Sequence, residues 1–277
     1  MSEAQQLRQA LAAEKPLQIV GVINAYAAIM AENADFKALY VSGAGVSNAS
    51  IGIPDTGKTT LEDVLIDVKR INASTDLPLI VDVDTAWEDG PGIEKTVHKM
   101  IEAGVAAIQI EDQVPEKLCG HLEGKKLVTT EHMVQRIKKA IEARGNSDLM
   151  IIARTDAISI EGVGAAIDRA SEYVKAGAEI IFAEAATSLG DYQLFVETLN
   201  VPILANMTEF GKTPLMTVDE LRDAGVEAVL YPLSAFRAMN KAAMDIYKDI
   251  RENGSQKKSI DKMQTREELY RLLNYLI

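Results

Sequence analysis

Cysteine is almost missing from this chain: Cys119 is the single one, so an intramolecular disulfide is excluded. Aromatic residues make up only 5% of the sequence, and there is one tryptophan, Trp87. With 47% apolar residues the core must therefore be built from Ile, Leu, Val, Ala and Met. Positive charge is in deficit as well. The net charge of −12 makes the chain a poor candidate for nucleic-acid binding, which needs a basic face to displace counterions. No apolar run approaches the length of about 18 residues that a membrane span requires. Residues 1–15 read as a polar-faced helix (Leu7, Ala10, Leu11), with neither the apolar run of a signal peptide nor the basic character of a transit peptide. Together these absences point to the cytoplasm.

Short β-branched apolar runs recur along the chain: Leu17–Ile23, Ala38–Ser42, Leu79–Asp84, Ala106–Glu111, Leu149–Arg154, Glu179–Ala183, Pro202–Asn206 and Ala228–Tyr231. Runs apolar on both faces suit buried parallel strands. The segments between them carry helical spacing, as in Leu61-Val64-Leu65-Val68-Ile71 and Met133-Ile137-Ala140-Ile141. Gly104, Gly177 and Gly225 stand where helices should end just before the next strand. Eightfold strand–helix alternation without a linker predicts one α/β domain over residues 1–277, a (β/α)8 TIM-type barrel. An open doubly wound sheet is the competing architecture. Residues 234–277 are expected to form C-terminal helices, the last with a Thr265–Glu268 capping box. Its stripe of Leu269, Leu272, Leu273 and Leu276 packs either on its own barrel or on another subunit.

Polar residues gather at the carboxyl ends of the strands, where barrel enzymes keep their chemistry. They are Tyr40 and Ser42, Asp82 and Asp84, Glu111, Arg154, Glu184, Asn206 and, after the eighth strand, Arg237. Asp82 and Asp84 lie two apart, so on a strand both face the same side, and a hard cation such as Mg²⁺ would relieve their repulsion. The alternative is a pair of solvated acids. Arg154 after an apolar run is either a fork for a substrate carboxylate or half of a structural pair with Asp156 or Glu184. Cys119 is either inert or, beside Lys117 and His121, a thiol able to exchange protons with a substrate carbon.

The segment Gly52-Ile53-Pro54-Asp55-Thr56-Gly57-Lys58-Thr59 fits a phosphate-loop pattern and would make the chain a nucleotide hydrolase. Pro54 lacks an N–H for the cradle, Asp55 would bring negative charge into it, and Ser47–Ser50 precedes it instead of a strand.

The ordered set Ser42-Gly43-Ala44-Gly45-Val46, Asp82-Val83-Asp84, Ile110-Glu111-Asp112-Gln113, Lys117 to His121, Ala153-Arg154-Thr155-Asp156, Asn206 to Gly211 and Tyr231 to Arg237, closing with Met263-Gln264-Thr265-Arg266, resembles the 2-methylisocitrate lyases of the isocitrate lyase/phosphoenolpyruvate mutase superfamily. The Lys117-x-Cys119-Gly120-His121 loop marks the lyase branch. The resemblance implies a carbon–carbon lyase of propionate catabolism in the methylcitrate cycle, splitting a tricarboxylate into pyruvate and succinate. It implies Mg²⁺, with Mn²⁺ as a substitute, on Asp82 and Asp84, with Asp55 and Glu111 supporting the metal's water shell. Ser42, Gly43, Ala44, Cys119, Gly120, Arg154, Glu184, Asn206, Met207, Thr208, Arg237 and Arg266 are implied to bind substrate. Catalysis would fall to Cys119 with Lys117 and His121, and Tyr40 is a candidate base. A homotetramer with an exchanged C-terminal helix is implied too. Four features depart from the family pattern: Leu118 in place of Arg, Gln109 in place of His, Ala86-Trp87-Glu88-Asp89 in place of a glycine-rich stretch, and an end at Ile277 short of the usual tail. They bear on the exact substrate, leaving isocitrate, 2,3-dimethylmalate or oxaloacetate as alternatives. A non-catalytic binding barrel is the remaining one.

Overall fold

The computed structural model describes residues 1–118, 120 and 124–275. Eight parallel strands close into a barrel in chain order: β1 (Leu17–Gly21), β2 (Ala38–Val41), β3 (Leu79–Asp82), β4 (Ala107–Glu111), β5 (Met150–Thr155), β6 (Ile180–Ala183), β7 (Ile203–Asn206) and β8 (Ala228–Tyr231). The closed barrel rules out the open doubly wound sheet, because β1 pairs with both β2 and β8. The helices before and between the strands are α1 (Glu3–Ala13), α2 (Ala25–Asn33), α3 (Gly43–Gly45, running into a π-helix over Val46–Ile51), α4 (Leu61–Asn72), α5 (Gly92–Glu102), α6 (Thr130–Arg144), α7 (Ile158–Glu161), α8 (Val163–Lys175), α9 (Leu189–Thr198) and α10 (Val218–Asp223). After β8 come α11 (Ser234–Asn253), a 3-10 turn (Lys257–Lys262) and α12 (Arg266–Leu272).

Strand periodicity divides the core in two. The outward set, including Val81, Ile108, Ile110, Ile151, Ala153, Ile181 and Val229, packs against the helix ring. The α4 stripe Leu61, Val64, Leu65, Val68 and Ile71 is buried there in full. The inward set, including Leu17, Ile19, Ala38, Ile80, Ala107, Met150, Ile152, Ile180, Leu204 and Ala228, fills the barrel, and Leu7 and Leu11 of α1 join it. Gly104, Gly177 and Gly225 take left-handed φ values of 73°, 111° and 81°, as their helix-ending positions require.

α11 departs from this ring. None of its 20 residues is buried, although Met239, Met244, Tyr247 and Ile250 give it apolar surface. The Thr265–Glu268 capping box is present, and α12 leans on α2 with Leu273 and Tyr275 exposed. Leu276 lies outside the described residues. No helix among the described residues is long and apolar enough to cross a membrane.

Candidate active site

Following each inward series toward the carboxyl ends shows how the site is made. Ile80 is succeeded by Asp82, Gln109 by Glu111, Ile152 by Arg154, Phe182 by Glu184, and Leu204 by Asn206. One period-2 face thus changes from apolar to polar along its length. The polar tier opens on a cavity of about 280 Å³ lined by Tyr40, Ser42, Ala44, Asp55, Asp82, Lys117, Leu118, Gly120, Arg154, Glu184, Asn206, Thr208 and Arg237, among others.

Asp82, Asp84 and Glu111 each place a carboxylate oxygen within 4.8 Å of the others. Asp82 ends β3, whereas Asp84 lies beyond the strand at φ 50°. The two acids therefore converge through a left-handed turn, not through the strand alternation expected from their spacing. The Asp84 N–H donates to Asp82 Oδ1 (3.1 Å) and the Gly43 N–H to Asp82 Oδ2 (3.1 Å). Burial pushes the Asp84 carboxyl up to about 6, opposed by Lys117 and reinforced by Asp82 and Asp55. Burial likewise raises Glu111, against the pull of Arg154 and Lys117. Neither Glu111 oxygen has a hydrogen-bond donor among the described residues. Oxygen-only ligands, buried and mutually repelling, fit a hard divalent cation.

Lys117 bridges this cluster to the loop that matched a phosphate cradle. Its Nζ lies 2.6 Å from Asp55 and 2.7 Å from Asp84. Burial opposes its charge, yet the surrounding carboxylates, Asp84 first, raise it well above the ordinary lysine value. The cradle-like loop follows the π-helix, not a strand, and its Lys58 is exposed. A nucleotide-hydrolase reading loses its structural context there.

Arg154 makes the expected structural pair with Asp156 and also lines the cavity. Nε donates to Asp156 Oδ2 (2.9 Å) and Nη2 to Oδ1 (3.1 Å), while the guanidinium also lies 3.6 Å from Glu111 and 3.8 Å from Glu184. Register explains the contact with Glu111, since the two residues are paired across β4 and β5. Asp156 is held down at about 2: burial opposes its charge, but Arg154 and the buried Lys125 outweigh it. Lys125 Nζ also donates to the Gly120 carbonyl (2.5 Å).

Tyr40 faces the cavity, and its hydroxyl donates to Gln109 Oε1. Burial, and next the Asp82 charge, push this phenol well above its ordinary value. Met207 does not face the cavity with its side chain; its sulfur accepts the Met216 N–H (3.3 Å) and packs in the outer core. Arg266 is exposed at the start of α12 and does not line the cavity. Cys119 and His121 lie outside the described residues. Sequence reasoning overlooked the apolar wall of Phe182, Leu230, Pro232 and Leu233 and the rim residues Glu209 and Phe210. Phe182 and Leu230 could have been found by continuing the inward period from Ile180 and Ala228.

Gly120 sits where a side chain cannot. A Cβ there would fall 2.3 Å from Arg154 Nη2 and 2.7 Å from Glu184 Cδ. Gly120→Ala is expected to push the loop that carries it (the flap) off Arg154 and Glu184 and lower kcat/KM by about 10²-fold, as displacements near 1 Å do, with the melting temperature unchanged. Steady-state kinetics and a thermal melt check this.

The phosphoenolpyruvate phosphomutase family profile matches residues 7–251. The 2-methylisocitrate lyase of Shewanella oneidensis is 53% identical over 97% of this chain and 92% of its own length. That of Escherichia coli K12 is 52% identical over 99% and 93%. The chain belongs to the 2-methylisocitrate lyase branch of the phosphoenolpyruvate phosphomutase family. Solved structures agree on the architecture of this branch: 2,3-dimethylmalate lyase superposes with a TM-score of 0.90 at 34% identity, covering 98% of this chain and 91% of that one. Oxaloacetate acetylhydrolase, bound to 3,3-difluorooxalacetate, gives a TM-score of 0.90 at 30% identity, covering 98% and 93%. The family membership leaves the binding-only barrel without support.

Proposed function

We propose that this chain is a Mg²⁺-dependent carbon–carbon lyase cleaving 2-methylisocitrate to pyruvate and succinate, with Mn²⁺ able to replace Mg²⁺. The observation that carries the reading is one cavity lined by Asp82 of the Asp82–Asp84–Glu111 cluster, by Arg154, Asn206 and Thr208, and by the apolar Phe182, Leu230, Pro232 and Leu233. Asp82 and Asp84 would hold the ion, with Asp55 and Glu111 behind them. When bound, the ion supplies Lewis-acid polarisation of the substrate hydroxyl and its neighbouring carboxylate.

The chain's own groups do the rest. Arg154, Asn206, Thr208 and Ser42 present donors to carboxylates, and Arg237 stands half-exposed at the rim. Phe182, Leu230, Pro232 and Leu233 offer a surface for the methyl substituent and none for water. The hydroxyl proton would pass to a base, for which Tyr40 as phenolate is the candidate, while the C2–C3 electron pair passes to the succinate half, whose added charge Lys117, Arg237 and His121 offset. Cys119, carried between Leu118 and Gly120 on the flap, returns a proton to that carbon. Cys119→Ser is expected to keep product affinity but lose about 10²-fold or more in kcat, the scale of general-acid catalysis. Calorimetry with succinate beside steady-state kinetics checks this, and unimpaired turnover would remove the thiol from the mechanism.

The deciding assay offers methylisocitrate, isocitrate, dimethylmalate, oxaloacetate and ATP with Mg²⁺. Keto-acid release from methylisocitrate well above the others is the expected result. Preferred release of oxalate and acetate from oxaloacetate would reassign the chain to the hydrolases. The same proposal makes the protein a cytoplasmic homotetramer and a single domain, whose residues 234–277 form the arm exchanged between barrels. The exposed apolar face of α11 supports it, and sedimentation velocity tests it.

A further inference from the structure

The turn that follows β3 is held in an unfavourable conformation. Asp84, Ala86 and Trp87 have φ values of 50°, 58° and 47°, so three of four successive residues are left-handed without being glycine. Such backbone persists only where the surroundings over-determine it. Several anchors do so here. The Ala86 N–H donates to the Val83 carbonyl (2.6 Å), and Thr96 Oγ1 donates to that of Ala86 (3.1 Å). Trp87 Nε1 donates to the Thr59 carbonyl (2.7 Å). Glu88 then meets Arg136 through two hydrogen bonds, of which Nε to Oε2 measures 2.9 Å.

Arg136 is an arginine with a side chain only 1% exposed, projecting from α6 under the barrel mouth. Its Nη1 donates to the carbonyls of Glu111 and Gln113, both at 2.8 Å. Gln113 in turn brackets the peptide of Leu118, accepting from its N–H (3.1 Å) and donating to its carbonyl (2.9 Å). One guanidinium thus touches the turn bearing Asp84, the strand end bearing Glu111 and the residue that holds the stem of the flap. A planar fork with fixed N–H directions can span three such acceptors; an ammonium cannot.

We propose that Arg136 and Glu88 are positioning residues that set the separation of Asp84 and Glu111 across the cation pocket and hold the flap stem through Gln113. This rests on the reading of Asp82, Asp84 and Glu111 as a cation site. Glu88 directly follows left-handed positions that carry no glycine, so the clamp holds a turn without easy conformers.

The test is Mn²⁺ titration of the full-length protein, followed by calorimetry and by emission of Trp87, the only tryptophan and a member of the turn. Glu88→Gln and Arg136→Lys are each expected to weaken Mn²⁺ binding by about 10–100-fold, the usual effect of losing an outer-sphere partner. The double variant should lose less than the product of the two, because both act through one contact. Thermal melts establish that each variant is folded, and a purely structural ion pair would lower melting while leaving affinity in the folded protein unchanged. If Arg136→Lys does not fold, Glu88→Gln decides alone. A folded Glu88→Gln protein whose Mn²⁺ affinity stays within about twofold of the parent, the scatter of independent sites, overturns the proposal. Failure of the unmodified protein to bind Mn²⁺ would instead remove the cation site itself, and the clamp's role with it.

Discussion

Asp84→Asn is expected to abolish most turnover while making the metal-free protein melt at a higher temperature. The loss follows from the ligand role: a Lewis acid contributes several kcal/mol at the transition state, so removing its second carboxylate should cost on the order of 10³-fold or more in kcat. The gain follows from repulsion. Three buried carboxylates converge within 4.8 Å, and the Asp84 charge raises Glu111. Asn keeps the shape and removes one charge, while Lys117 stays paired to Asp55 at 2.6 Å. Because the folded-state value of Asp84 is pushed up from 3.8 to about 6, the native protein favours its protonated form more than the unfolded chain does. The stabilisation it brings is complete below the unfolded value and lost as pH rises through about 6. The variant escapes that loss, so its advantage in chelator should appear as pH rises through this window, reaching on the order of 2 kcal/mol near neutrality. Melting curves with and without chelator across the window, beside kcat, check both halves. A variant that melts lower than its parent in chelator, or keeps more than about a tenth of the activity, contradicts the cluster's role.

The barrel was legible because burial on both faces leaves its mark in composition. Each of the eight apolar runs holds a strand, and helix ends fell at Gly104, Gly177 and Gly225 as expected. Strand-end position also brought Asp82, Glu111, Arg154, Glu184 and Asn206 to one cavity or its wall. What eluded sequence reasoning depends on turns and on partners distant in the chain. Asp84 reaches the cluster through positive φ, which no residue-type pattern announces for an aspartate. Met207 looked like its neighbours Asn206 and Thr208, yet the alternation after β7 turns its side chain outward to Met216. The rise of the Tyr40 phenol comes from burial among acids on other strands, so its nucleus of charge was invisible in its own segment. Arg136 and Lys125 sit in ordinary-looking helical and loop sequence, and only the fold shows that both are buried against backbone carbonyls.

Arg154→Met is expected to be the most destabilising single change in the cavity. The side chain is 11% exposed and lies over the Phe182 ring at 5.2 Å, so methionine can fill much of the volume, and the loss isolates the charge. Without the guanidinium, Asp156 keeps Lys125 at 2.8 Å as its one cationic partner among the described residues, and Glu111 loses the larger of its neutralising partners. Breaking a buried pair by removing one member costs about 3–5 kcal/mol, because the survivor stays buried with its charge. The sign of the pH dependence identifies the cause. In the parent, Asp156 is depressed to about 2, so its stabilisation is present above the unfolded value and is lost only as pH falls through about 2. In the variant the orphaned acids favour their protonated forms, so stability is retained in acid and lost on the way to neutrality. The deficit should therefore be smaller near pH ~4, where only the lost Asp156 pairing is felt, than near pH ~8, where the orphaned charges add to it. Urea unfolding at these two values measures it, with Arg154→Lys as the control that restores charge without the fork. A deficit that does not change with pH would mean that Arg154 contributes packing and not charge, and a preformed cationic cup for carboxylates would lose its main support.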